Sequence, residues 1–453
     1  MAQFKTKSYR FLILISCLLI IFIVYLFSPV NNLGDSRWAA HTTVSIIKEH
    51  NTNLNEYSGE IARANYALEN INENYYTIFP IGTSLISVPI IAPLIYSLDN
   101  NINLLVKSDL VAIIFPSIKK HYEAHNEIIN SEQLGILAFN AELQIFTASI
   151  FVTITALFIY LISKLFLNNQ LSIGVTLIFA FCTSSWSTAS RALWQHGPSM
   201  LMLSICLYLL LLARNKPWLV QFVGLSLAFS YVIRPTNSLS ILVFSAFILI
   251  KYRKYFIPFV AWVLTIGIPF IFYNWSIYGQ ILSPYYLPSR LGSSHYFWEA
   301  LAGNLISPSR GLFVFTPIFL FSIGGMAWLV KSKQARLLDY CLVVIIVLHW
   351  LSISSFPHWW AGHSFGPRFF SDMVPYFIYF LVRLLQVINT IGSHVKRNFI
   401  VSILVLFTVV SFFIHYRGAN HYPVHNWNAT PANVDEFPER LWDWQDIQFM
   451  RGL

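Results

Sequence analysis

The chain has 453 residues, of which 56% are hydrophobic and 11% charged, with a formal net charge of +9. Soluble domains carry roughly 25% charged residues, so this composition excludes a disordered chain, a collagen-like fibre and a disulfide scaffold, and it argues against an ordinary cytosolic enzyme. It fits a polytopic membrane protein, and the sign of the charge suggests membrane anchoring before nucleic acid.

At the N-terminus Lys5, Lys7 and Arg10 precede an apolar run over 11–27. No small-x-small cleavage pattern follows, so the run is an uncleaved signal anchor with its N-terminus inside. A first outer loop then covers 29–141. It opens with Asp35, and Trp38, Ala39, Thr42, Val44, Ile46 and Ile47 predict an amphipathic helix on the membrane surface with Asp35 as its N-cap.

The run at 79–98 is apolar but broken by Pro80, Gly82, Pro89 and Pro93. If it spanned, every later loop would flip and the basic KYRK and KSKQAR loops would lie outside, against the positive-inside rule. It is therefore expected to be a re-entrant or surface-lying segment buried against protein. Further apolar runs near 143–163, 171–187, 198–213, 218–233, 237–250, 256–276, 312–330, 338–353, 370–386 and 398–416 bring the expected total to about 11 spans. A second outer loop covers 277–311, and an outer tail covers 417–453. The whole of 1–453 is one transmembrane domain without internal repeats. Cys17, Cys182, Cys206 and Cys341 all sit in apolar runs and read as small buried hydrophobes.

With this topology about 15 of the 29 Lys and Arg lie inside, but only one acid, Asp339, does, leaving about 19 of the 20 acids outside. Chemistry is therefore expected on the outer face. There Asp35 is a carboxylate beside the first span, suited to act as a base or to cap a helix. Arg368 and Asp372 are four apart and expected to pair on one helix face, with Trp359 and Trp360 as an apolar platform and Gly362 and Gly366 allowing close backbone approach. An arginine at a span mouth beside aromatics suits a phosphate or diphosphate. Arg37, Arg191, Arg234 and Arg310 add basic groups at outer span mouths. Each alone is an interfacial anchor; together they form a positive ring around an outer cavity. His196, His358 and His363 lie on the same side, without metal-ligand spacing. No cofactor is called for, and a divalent cation is compatible with the pattern but not indicated by it. The membrane interiors carry almost no ionisable residue, which counts against a proton- or ion-coupled pump.

The stretches GDSRWAAHTTVSII (34–47), FPIGTSLISVPIIAP (79–93), WQHGPSM (194–200), IRPTN (233–237), SPSRGLFVFTP (307–317), WWAGHSFGPRFF (359–370) and LWDWQDIQFMRGL (441–453) occur in this order along nearly the whole chain. Together they resemble the GT-C superfamily of polytopic glycosyltransferases, specifically bacterial membrane proteins similar to protein O-mannosyltransferases and the lipid A aminoarabinose transferases. The resemblance implies an all-α, GT-C-like membrane fold with a large first outer loop bearing surface helices. It implies transfer of a sugar from a polyisoprenyl-phosphate donor to an acceptor hydroxyl on a lipid, glycan or protein, at the outer face of a bacterial inner membrane, with inversion. Mapped here, the catalytic acid is Asp35 and the first choice for the donor phosphate is Arg368, with Arg191, Arg310 and Arg234 as further phosphate contacts. Trp359, Trp360, His196 and His363 would line the cavity. Ser36 stands where many relatives carry a second carboxylate, which leaves a single base. Trp442, Asp443 and Trp444 in the tail are expected to pack on the outer loops. The competing classes are a lipid or polysaccharide transporter and a polysaccharide polymerase or ligase.

Overall fold

The computed structural model describes residues 2–62, 66–106, 108–125, 140–287 and 295–453. The parts of the first and second outer loops at 63–65, 107, 126–139 and 288–294 lie outside the described residues.

A segment in lipid has to satisfy its own backbone hydrogen bonds, which a helix does internally, and each apolar run identified above is largely helical. In chain order, α1 (Ala2–Phe27), α2 (Ala39–Lys48) and α3 (Ser58–Ile61) lead to a hairpin of β1 (Leu68–Ile71) and β2 (Asn74–Thr77). Then come α4 (Gly82–Val106), α5 (Asp109–Ile114), α6 (Pro116–His125), α7 (Asn140–Lys164), α8 (Asn169–Phe181), α9 (His196–Leu212), α10 (Val223–Ile233), α11 (Ser238–Lys251) and α12 (Phe256–Tyr278). The last third holds α13 (Phe297–Ile306), α14 (Leu312–Phe315), α15 (Phe319–Lys331), α16 (Leu337–Ser354), α17 (Val374–Ile388), α18 (His394–Asn420) and α19 (Pro423–Asn426).

The structure is 73% helical, which makes the body of the protein all-α. Among the described residues, six helical segments are long and apolar enough to cross a membrane: Arg10–Phe27, Asn140–Lys164, Arg253–Tyr278, Leu337–Ser354, Arg368–Ile388 and His394–Asn420. The other expected spans form apolar helices of 10–17 residues, and 17 residues reach only about 26 Å, near the lower limit for the hydrocarbon core. The segment containing α17 is central, with 83% of its apolar window buried, whereas only 11% is buried around α12. Phe377 of α17 stacks on Phe319 of α15, and Tyr376 meets Phe244 of α11 edge-on.

The hairpin departs from the all-α expectation. Ile71 pairs with Asn74 across a two-residue turn in which Asn72 and Glu73 both have positive φ, 50° and 67°, the conformation that matches the twist of paired strands. The expected surface helix also differs. Residues 40–45 of α2 are all buried, because α2 packs against α4. Its N-cap is Trp38, not Asp35.

The segment at 79–98 is helical from Gly82 onward rather than unwound. The 25 residues of α4 measure about 37 Å. The backbone N–H and hydroxyl of Ser117 both donate to Glu142 near the start of α7, and Ser84 donates to the Ala39 carbonyl at the start of α2. α4 packs along α2 and against the start of α7: Ile91, Ile95 and Leu98 share a buried cluster with Ala40, Val44, Phe115, Ile118 and Leu143. Gly82 makes its crossing with α10 possible: a Cβ there would sit 2.5 Å from backbone atoms of Val232 and Ile233, which cannot yield as a side chain would. Gly82→Ala is therefore expected to lower the melting temperature in detergent by several degrees, with a loss of about 1–3 kcal/mol.

The two ends of the bundle differ chemically. At one end Asp339 accepts from the Arg336 N–H in the first turn of α16 and pairs with Arg383 of α17 at 3.3 Å, with the Tyr379 hydroxyl at 2.5 Å. Lys164, Lys251 and Lys331 close α7, α11 and α15. At the other end the chain after α1 and α10 meets the starts of α9 and of the turn into α17, around a cavity.

Candidate functional site

Asp35 lies in a single 3-10 turn, Gly34–Ser36, directly after α1. Ser36 fixes that turn: its hydroxyl lies 2.7 Å from both the Leu33 carbonyl and Gln144 Oε1 of α7. A carboxylate in its place would face two acceptors without a proton to offer either. Asp35 is not a helix cap. Its Oδ1 accepts from the Tyr66 hydroxyl at 2.8 Å, and its Oδ2 pairs with Arg368 NH2.

Burial works to raise the Asp35 carboxyl, but the Arg368 charge, the hydrogen bond from Arg368 and that from Tyr66 outweigh it and hold it below its ordinary range. The pair is thus intact at neutral pH and is lost only as pH falls below the usual carboxylate values. Burial and the neighbouring Asp35 push the Tyr66 phenol up to about 12, so it remains a donor.

Arg368 and Asp372 do not pair with each other as expected. They begin and continue a 3-10 turn, Arg368–Met373, rather than an α-helical face. The Arg368 guanidinium stacks on Trp194, 3.4 Å from its ring centroid. Its Nε lies 3.4 Å from His196 Nε2, and its NH1 lies 3.4 Å from the Ala361 carbonyl. Asp372 is fully buried, pairs with Arg234 Nε at 2.7 Å and faces His196 Nδ1 at 3.3 Å. Arg234 NH1 is 3.4 Å from His196 Nε2. An arginine can only donate, so Nε2 facing two arginines is the bare nitrogen, and the proton sits on Nδ1 toward Asp372. His196 is therefore a neutral bridge between two guanidinium groups.

Asp35, Tyr66, Trp194, His196, Arg234 and Arg368 line a cavity of about 560 Å³. Tyr231, Tyr285, Tyr286 and Phe79 form its walls, and Leu239, Ile353 and Phe356 make another part apolar. The volume falls within the range of small-molecule sites. Among the described residues, no group of three or more His, Cys, Asp or Glu is placed to hold a metal ion.

Of the residues singled out in the sequence, the structure gathers Asp35, Ser36, His196, Arg234 and Arg368 at the cavity, with Asp372 buried behind them, and places Arg191, Arg310, Trp359, Trp360 and His363 elsewhere. Arg191 is buried and donates to the carbonyls of Tyr25 and, at 2.6 Å, Ser28, closing the last turn of α1. Arg310 is buried under the tail: it donates to Trp360 O at 2.8 Å, Ser309 O at 2.7 Å, Gly362 O at 3.1 Å, Gln448 Oε1 at 2.9 Å and Asn428 Oδ1 at 2.7 Å. Trp359 and Trp360 are buried with Trp427, Val434 and Leu441, and are not an interfacial platform. His363 meets Asn433 at 2.8 Å on the outside of the tail. Gly362 and Gly366 do adopt left-handed φ, 59° and 60°, and shape the loop leading to Arg368. In the tail, Trp442 donates to Glu299 of α13 at 2.9 Å. Trp194 and Tyr66 were not singled out. Trp194 sits two residues before His196 in the same turn, which was the available signal; Tyr66 precedes a hairpin too short to announce itself. No protein-family model, no curated protein and no solved structure matches the chain.

Proposed function

We propose that the protein is a GT-C-type glycosyltransferase of a bacterial inner membrane, with about 11 spans, its N-terminus inside and its C-terminus outside. It moves a sugar from a polyisoprenyl-phosphate carrier to a hydroxyl of a lipid, glycan or protein acceptor. One observation carries the reading: Asp35 and Arg368, 333 positions apart in sequence, meet in a single cavity at the end of the bundle away from the basic loops. A carboxylate and a guanidinium in an aromatic-walled cavity with an apolar part suit a sugar joined to a lipid phosphate.

In this reading the acceptor oxygen attacks the anomeric carbon on the face opposite the phosphate, so configuration inverts. Asp35 takes the acceptor proton. Arg368 stabilises the charge that builds on the leaving phosphate, with Arg234 behind it. Arg191 and Arg310 keep structural roles.

The test uses purified protein with a panel of polyprenyl-phosphate sugars and follows release of free polyprenyl phosphate. Arg368→Ala is expected to reduce release by about 10²–10³. Undiminished release in that variant, or no release and no lipid-phosphate binding by the wild type, would remove the proposal.

A further inference from the structure

We infer that the phosphate of the lipid donor replaces Asp35 on Arg368 and so uncovers the base only once the donor is seated. The inference rests on the transferase reading and adds an order of events.

The two partners of the pair differ in freedom. Arg368 is held by the Trp194 ring, His196 Nε2 and the Ala361 carbonyl, each 3.4 Å away. Its NH2 edge meets the cavity, and Asp35 occupies that edge. Asp35 is gripped at two separate oxygens, Oδ1 by Tyr66 and Oδ2 by Arg368. An anion can therefore take the Arg368 edge while Tyr66 keeps Oδ1. The oxygen this exposes is Oδ2, which then has no guanidinium opposing its protonation.

The chemical step balances. The bond from the acceptor oxygen to the anomeric carbon forms as the bond from that carbon to the phosphate oxygen breaks. The electron pair leaves with the phosphate, and the acceptor proton goes to Asp35 Oδ2. One negative charge on the diester and one on Asp35 become two on the monoester and none on Asp35. Passing that proton to the phosphate restores the aspartate, which re-pairs with Arg368 and favours departure of the lipid phosphate.

The probe is methyl farnesyl phosphate, a singly charged diester, followed by calorimetry on the full-length protein in detergent. Asp35→Asn and Asp35→Ser, both checked for an unchanged melting profile, are expected to bind the diester about tenfold tighter or more, because the competing carboxylate is gone. Arg368→Ala is expected to lose binding. Equal or weaker binding in both Asp35 variants overturns the exchange but leaves the transferase reading, provided the wild type binds through Arg368. If neither wild type nor the Asp35 variants bind the diester, the exchange and the reading fall together.

Discussion

Asp35→Asn is expected to lower the rate of sugar transfer by about 10²–10⁴ while leaving the protein folded. Asparagine preserves the volume and an oxygen that accepts from Tyr66 or Arg368, so the turn at Gly34–Ser36, which hangs on Ser36 and Gln144, keeps its place. What is lost is the capacity to take a proton. Turnover under saturating donor and acceptor is the measurement; a variant within threefold of wild type would show that Asp35 is not the base. The pH profile adds a sign. In the structure Arg368 and Tyr66 hold Asp35 below its ordinary range. In the proposed donor complex the phosphate would occupy Arg368, so the carboxyl is expected to rise. The acid limb of kcat is therefore expected at higher pH than that of kcat/KM.

The largest effect on stability is expected at Asp372. This carboxylate is fully buried, pairs with Arg234 and faces His196 Nδ1. Asp372→Ala leaves a guanidinium without its counter-ion in an interior that offers little solvation, and is expected to cost about 3–5 kcal/mol. Thermal unfolding in detergent reads this directly. Adding Arg234→Met should restore part of the loss, since removing both members of a buried pair costs less than removing one. If the double variant melts below the single one, the pair is not the source of the stability.

The sequence carried the main lines of this structure because the membrane leaves few choices. Long apolar runs such as 256–276 and 398–416 have no alternative to helix, and prolines in 79–98 did not prevent one. Asp35, Arg368, Arg234 and His196 stood out because polar residues at span mouths are few. Their partners did not stand out. Arg368 and Asp372 at a spacing of four suggested a local pair, but a 3-10 turn rotates them apart, and contacts 333 and 176 positions away take precedence. Arg191 and Arg310 were indistinguishable in sequence from ligand-binding arginines. A guanidinium at a helix end satisfies carbonyls or a phosphate with the same donors, and only tertiary placement decides which. The hairpin escaped because its strands are four residues each and its turn is Asn-Glu, without the glycine that usually marks such a turn.

Gln448 has a consequence for biogenesis. It accepts from Arg310 and from the Gly366 N–H, and it donates to the Ser364 carbonyl, so it pins the loop from which Arg368 emerges. It is synthesised 82 residues after Gly366, with α17 and α18 in between. The arginine edge that faces the cavity thus cannot be set when its own segment leaves the ribosome. Assembly of the site waits until two more helices have been inserted and the tail has reached the same side of the membrane, so during its synthesis each copy passes through a stage in which its helices are in place but its site is not.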